Sequence, residues 1–160
     1  MAVLNQVLRA YFPIGEYNEL DANTNNSHQF IHRYPDSRWE IDHFFEIQHV
    51  VEIVWDKYKN EWQNFMVVEL MDLSSFINDY RNLYIIPKMA NQKKKGIKLQ
   101  DYWLKNELIA SYLNCEVKNE NYRNVESLVK ELARQMRDRK GDNGKLTRLV
   151  GEKLCKEMAF

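Results

Sequence analysis

The sequence predicts a mostly helical α+β fold. Apolar residues recur at i, i+3, i+4 and i+7 in several segments, which is the period of amphipathic helices, while two short stretches have the composition of strands. The chain has 160 residues, of which 44% are hydrophobic, so it can build a core without disulfides or a structural metal. We therefore expect one domain over residues 1–160.

In the first half of the chain, the sequence pattern predicts a strand between helices. A helical period runs over residues 2–12, and the polar stretch 21–27 predicts a surface loop. β-prone residues follow, are interrupted by a Pro-Asp turn, and resume in a strand expected near 38–43. A regular helical period then covers 47–58, and a second helix is expected over 62–77 after a polar joint.

In the later part of the chain, the sequence pattern predicts one more strand, followed by helices. A β-prone run near 82–86 ends at Pro87, and the polar segment after it is compatible with a helix that ends at Gly96. Further helical periods are expected over 99–113, 125–136 and 146–158, the last of them after the turn sequence GDNG.

The charge of the chain is divided unevenly, although the net charge is zero. Residues 1–87 contain six Lys/Arg and thirteen Asp/Glu, whereas residues 88–160 contain seventeen and ten. A basic half can attract a polyanion, so the division favours an anionic partner. The alternative is that the charges form solvated helix faces.

The cysteines and the N-terminal residues indicate the cellular compartment in which the protein is expected. Cys115 and Cys155 form no CxxC motif, so the sequence predicts buried free thiols instead of a zinc site or a disulfide. The first residues lack the pattern of a secretory signal, and no window has the length of a membrane span. We expect no membrane association and an intracellular, cytoplasmic setting.

Polar residues fall where the predicted strands begin or end. Asp42 and His43 close the first strand within "EIDH", Asn82 opens the second within "NL", and Asn91 follows nine positions later within "NQKKKG". An isolated Asp-His pair is weak evidence for a site, but the order and spacing of these elements resemble those of the HNH endonucleases, also called His-Me finger or ββα-metal nucleases.

The resemblance covers about residues 38–96 and implies a ββα-metal core. The two strands and a short helix around Asn91 would form that core, with about thirty-five residues of helical insertion between the strands and a helical extension over 97–160. The structural zinc held by CxxC pairs in many family members has no ligands in this chain. The inserted helices would then have to brace the strands.

The resemblance also implies a role for each motif residue. His43 occupies the position of the general base in the family, and imidazole suits this task because its unperturbed pKa is about 6.5. Asp42 and Asn91 occupy the positions of the ligands that hold one divalent metal ion in the family. Their oxygen atoms favour Mg²⁺, with Mn²⁺ or another divalent ion as alternatives. A local bend is needed for Asp42 and His43 to serve one site. Asn82 would tie the loop after the first strand, and Glu46 is either a helix cap or a residue of the metal site.

The implied partner is a nucleic acid, with DNA expected and RNA as the alternative. Cations near the motif would contact phosphates without reading sequence. These are Arg81, Lys88, Lys93, Lys94 and Lys95. An inhibitor or immunity protein is an expected further partner if the nuclease is a toxin.

Three other interpretations stay open. A degenerate PD-(D/E)xK pattern can be placed on Pro35-Asp36 and Glu46, but the lysine is missing and Gln48 falls in a helical period. The same hydrolytic site could cleave RNA, as toxin nucleases do. The chain could also be a non-catalytic helical interaction module, in which the motif residues are turn and surface residues.

Overall fold

The computed structural model describes residues 1–10, 39–87, 92 and 120–158. In these ranges the chain is mostly helical and contains a two-stranded antiparallel sheet. The helices and strands are α1 (Ala2–Ala10), β1 (Trp39–His43), α2 (Ile47–Tyr58), α3 (Val67–Ile77), β2 (Leu83–Pro87), α4 (Glu120–Arg137) and α5 (Lys145–Glu157). Short 3-10 helices cover Lys59–Asn64, Tyr80–Asn82 and Asp142–Gly144. The predicted mostly helical α+β class is confirmed.

Most of the predicted elements that can be compared lie close to their expected positions. Both strands and α2 agree with the periodicity to within one residue. Helix α4 begins five residues before its first apolar repeat, because helix formation continues through polar residues that carry no periodic signal. The β-prone segment before the Pro-Asp turn, the helix around Asn91 and the helix expected over 99–113 lie outside the described residues.

The helix predicted over 62–77 is wrong in its first part. Residues Lys59–Asn64 form a 3-10 helix, and the backbone is extended at Phe65 and Met66 before α3 begins at Val67. The carboxylate of Glu69 accepts a hydrogen bond from the backbone N–H of Met66 at 2.9 Å, which satisfies a donor at the start of α3. The apolar spacing continues across this break and therefore did not reveal it.

The two strands bring the end of β1 beside the start of β2. In the antiparallel register Asp42 lies opposite Tyr84, and His43 lies opposite Leu83. One more backbone hydrogen bond, from the N–H of Phe44 to the carbonyl of Asn82 at 2.8 Å, continues the pairing beyond the ladder. The strand ends thus hold the 43–45 segment against residue 82.

The hydrophobic core is formed mainly by side chains from the five α-helices, from the first 3-10 helix and from the loop after β1. Helices α1 and α5 both pack against α2 and α3, and α4 packs against α5. The largest fully buried side chains include Phe44 and Phe45, whose rings meet edge to face at 5.5 Å between centroids. Because these two residues follow His43 directly, the core fixes the backbone at the end of β1.

Asp72 of α3 links that helix to the start of α5. Its carboxylate accepts hydrogen bonds from Nη2 of Arg139 and Oγ1 of Thr147, each at 2.6 Å. The Arg139 guanidinium also lies 5.7 Å from the ring centroid of Phe76. A carboxylate beside the first turn of α5 also complements the positive end of the helix dipole.

Helices α4 and α5 cross at Gly151, where the helix backbones are in close contact. A Cβ atom built on Gly151 would collide with the backbone nitrogen of Arg137 and lie 2.5 Å from the carbonyl carbon of Met136. These are backbone atoms, which cannot turn away as a side-chain end could. The crossing therefore requires glycine.

Replacing Gly151 by alanine is expected to destabilise the protein, although this change in an open helix stabilises by up to about 1 kcal/mol. The added methyl group must push α4 and α5 apart, and such overpacking costs roughly 1–3 kcal/mol. Urea unfolding of Gly151→Ala measures the difference. Glu152→Ala is the matched control, because Glu152 is exposed at the next position of the same helix. Equal stability of Gly151→Ala and wild type would contradict the close crossing.

Candidate nuclease site

His43 is half-buried at the end of β1, with its ring directed toward the C-terminal end of α3. Its Nε2 lies 2.9 Å from Oδ1 of Asn78. Asn78 itself is 0% exposed, and its Nδ2 donates to the carbonyls of Leu8 and Ser74 at 3.1 and 3.0 Å. One amide side chain therefore connects His43 to both α1 and α3.

These contacts determine which atom of the Asn78 amide faces the histidine. The carbonyl oxygens of Leu8 and Ser74 can only accept hydrogen bonds, so the NH₂ group of Asn78 must face them and its oxygen must face His43. An amide oxygen is an acceptor, and hence Nε2 of His43 carries a hydrogen and donates it. In the neutral ring the lone pair is then on Nδ1.

Asn82 is 0% exposed and ties the loop after β1 to the start of β2. Its Oδ1 accepts from the backbone N–H of Phe45 at 2.6 Å, and its Nδ2 donates to the carbonyls of Ile77 and Phe45 at 2.7 and 3.3 Å. This is the tie that the family resemblance implies for Asn82. Its effect on a reaction stays a prediction.

Asp42 is buried, with 7% of its surface exposed, and it lies one residue before His43. Both residues pair in regular register with β2, so the bend expected between them is not present in the described backbone. The backbone bends at Phe44 and Phe45 instead, where the ladder has ended. Neighbouring strand residues point to opposite faces, so the side chains of Asp42 and His43 start from opposite sides of β1.

Glu46 stands at the N-cap position of α2. The backbone there is extended, and its side chain makes no capping hydrogen bond to the first turn. Its carboxylate can still complement the helix dipole. As a cap, Glu46 would therefore act on α2 only through its charge.

Arg81 has its guanidinium bound to other residues of the chain. Nε and Nη2 donate to the two oxygens of Asp79, both at 2.8 Å, and Nη1 donates to Oε1 of Gln135 in α4 at 2.8 Å. The side chain thus connects the approach to β2 with α4. A phosphate contact by Arg81, as predicted, would have to share these donors with Asp79 and Gln135.

The remaining predicted site residues cannot be placed. All five of them lie outside the described residues, namely Asn91, Lys88, Lys93, Lys94 and Lys95. Gln92, which follows Asn91, has helical backbone. Within the described ranges no three His, Cys, Asp or Glu side chains converge on a point that could hold a metal ion. A site built from one aspartate and one asparagine would not be of that type, and its hard oxygen donors fit Mg²⁺.

Several cations of α4, α5 and the turn between them are also engaged within the chain. Arg137 donates to both oxygens of Asp138, and Arg148 donates to the carbonyls of Arg139 and Gly141. Hydrogen bonds to Asp138 raise the pKa of Arg137, and those to Asp72 raise the pKa of Arg139. These contacts favour a structural role for this basic surface.

Cys155 has the buried free thiol that the sequence predicts, whereas Cys115 lies outside the described residues. Desolvation by burial raises the pKa of the Cys155 thiol. A buried thiol with a raised pKa is a poor nucleophile, so the described geometry gives Cys155 a packing role.

Comparisons of this chain with protein-family models, curated proteins and solved structures gave no match. The candidate site therefore rests on the residues and contacts described above. Among the described helices, none has both the length and the apolar character that crossing a lipid bilayer requires.

Asn78 is the site residue that the sequence pattern did not predict. It follows the apolar period of α3 directly and is indistinguishable from an ordinary C-terminal helix cap. The available signal was Ser74, a polar residue within the apolar repeat of Leu70, Leu73 and Ile77. A polar residue on a buried face needs a partner, and Asn78 lies one helical turn further on the same face.

Proposed function

We propose that the chain is a metal-dependent endonuclease of the HNH type, which hydrolyses phosphodiester bonds of nucleic acid, with DNA as the expected substrate. The observation that carries the proposal is the buried side chain of Asn82, which ties the loop after β1 beside His43. It supports a ββα-metal core because the middle asparagine of the motif has this task in the family that the sequence resembles.

His43 is the general base in this proposal. With Nε2–H donated to Asn78, the neutral ring takes a proton from water at Nδ1. The water oxygen forms a new bond to phosphorus while the bond from phosphorus to the leaving oxygen breaks. That oxygen takes its proton from solvent.

Asp42 and Asn91 are the residues that would hold the divalent ion. Because the side chains of Asp42 and His43 start from opposite sides of β1, the proposal requires them to converge beyond the end of the strand. When bound there, the ion would neutralise charge on the scissile phosphate and on the leaving oxygen. Asp42 is buried at the strand end and would supply a carboxylate oxygen, a ligand type that Mg²⁺ accepts. Lys88, Lys93, Lys94 and Lys95 would contact phosphates next to the cleaved bond.

The experiment that tests this function offers the protein several polymers in parallel. Supercoiled plasmid, single-stranded DNA and total RNA are incubated with purified protein and Mg²⁺, then with EDTA, and then with Mg²⁺ restored in excess. The proposal predicts nicking or linearisation of plasmid that EDTA stops and Mg²⁺ restores. Cleavage of RNA alone would move the substrate to RNA within the same chemistry.

Intact polymers under all these conditions would contradict the proposal. The same assay with Mn²⁺ in place of Mg²⁺ guards against a wrong choice of ion, since both accept oxygen ligands. A protein that is folded but inactive with both ions would be better explained as a non-catalytic interaction module.

A further inference from the structure

We propose that Asn78 is a positioning residue for His43, which holds the imidazole in one orientation and in the Nε2–H tautomer. The catalytic meaning of this inference rests on the proposed nuclease function. Its geometric basis is the 2.9 Å contact between Nε2 of His43 and Oδ1 of Asn78. Asn78 lies in the segment between the two strands, thirty-five residues from His43.

The Asn78 side chain is itself held in place by two helices. Its Nδ2 donates to the Leu8 carbonyl of α1, to the Ser74 carbonyl and to Ser74 Oγ, at 3.0 to 3.1 Å. Ser74 Oγ donates in turn to the Leu8 carbonyl at 2.6 Å. A rotation of the amide would break these bonds inside a fully buried region, so the acceptor that faces His43 is preorganised.

A fixed acceptor at Nε2 determines what the other ring nitrogen can do. It stabilises the tautomer in which Nδ1 has the lone pair, and it prevents the ring from turning about its side-chain torsions. Asn82 acts differently, because its bonds go to the backbone of the loop and not to the imidazole. The two asparagines therefore set two properties of the site, the path of the backbone and the state of the ring.

The first test measures the ¹⁵N chemical shifts of the His43 ring in the wild-type protein, at a pH where the ring is neutral. The inference predicts a protonated Nε2 and an unprotonated Nδ1, without averaging between tautomers. A ring protonated at Nδ1, or one that exchanges between the two forms, would overturn it. This measurement needs no variant and no enzymatic activity.

The second test compares Asn78→Ala with Thr147→Ala. Both remove the hydrogen bonds of a buried polar side chain, but only the first removes the acceptor for His43. Asn78→Ala should lower kcat roughly 10- to 100-fold, a loss like that seen when the hydrogen-bond partner of a metal-ligating histidine is removed, with KM little changed. Thr147→Ala, which removes a hydroxyl bonded to Asp72 away from His43, should keep kcat.

The outcomes separate this inference from the function on which it rests. If both alanine variants reduce kcat in proportion to their loss of stability, Asn78 has only a structural role and the inference fails. If wild type cleaves no polymer, the proposed function fails, while the ¹⁵N shifts of His43 still decide whether Asn78 sets the tautomer.

Discussion

His43→Ala is expected to remain folded and to lose nucleic-acid cleavage by a factor on the order of 100 to 10,000, the usual contribution of a general base. The imidazole is the only group in the proposal that takes the proton from water. Its removal leaves Oδ1 of Asn78 without its donor, which costs about 1 kcal/mol or somewhat more. Initial rates of plasmid nicking measure the activity, and thermal unfolding measures the stability.

His49→Ala is the matched control for that variant. His49 is also a partly buried histidine whose Nε2 contacts a single oxygen, in this case Oε2 of Glu157 at 2.6 Å. It lies on α2, outside the motif, and links that helix to α5. We expect it to lose a comparable amount of stability and to keep its activity. Full activity of His43→Ala, or equal losses in the two variants, would contradict the role of His43.

Asn82→Ala is expected to reduce both stability and cleavage. It leaves the N–H and carbonyl of Phe45 and the carbonyl of Ile77 without their partner in a buried region. Because each unsatisfied buried group costs about 1–3 kcal/mol, the combined loss for the three groups is roughly 3–9 kcal/mol. Urea unfolding measures this loss, and the nicking rate is measured at a temperature where the variant is still folded.

The control for Asn82→Ala is Asn64→Ala, because Asn64 is an exposed asparagine of the first 3-10 helix. It should leave both stability and activity unchanged. A loss below 1 kcal/mol in Asn82→Ala would mean that the tie between Phe45 and Ile77 is unimportant. Full activity in a strongly destabilised Asn82→Ala would mean that the loop does not orient the site.

The sequence predicted well the elements whose signal is local. The period from Ile47 to Tyr58 predicts α2 because one face of a helix must be apolar to pack, and the β-prone runs before His43 and Pro87 predict the strands. It failed at Phe65 and Met66, where extended backbone interrupts an apolar spacing that continues across the break. Periodicity reports which residues are buried and not which backbone connects them.

The contacts of the site were less predictable because they join residues far apart in the sequence. The pattern selected His43 and Asn82 as polar residues at strand ends, but the bond from His43 to Asn78 depends on how α3 packs. It also predicted a bend at Asp42, whereas the strand register continues through His43. Arg81 was expected to face a partner, and its Nη1 donates instead to Gln135 of α4, fifty-four residues away.

Manganese-induced broadening of NMR signals tests most directly the central claim, that Asp42, His43 and Asn91 surround one cation. Mn²⁺ added to the protein should broaden the backbone amides of Asp42 and His43 and the side-chain amide of Asn91 more strongly than the other amides. Excess Mg²⁺ should restore the signals, and Asp42→Asn should abolish the effect. Broadening that spares Asn91, or that is equal throughout the protein, would contradict the claim.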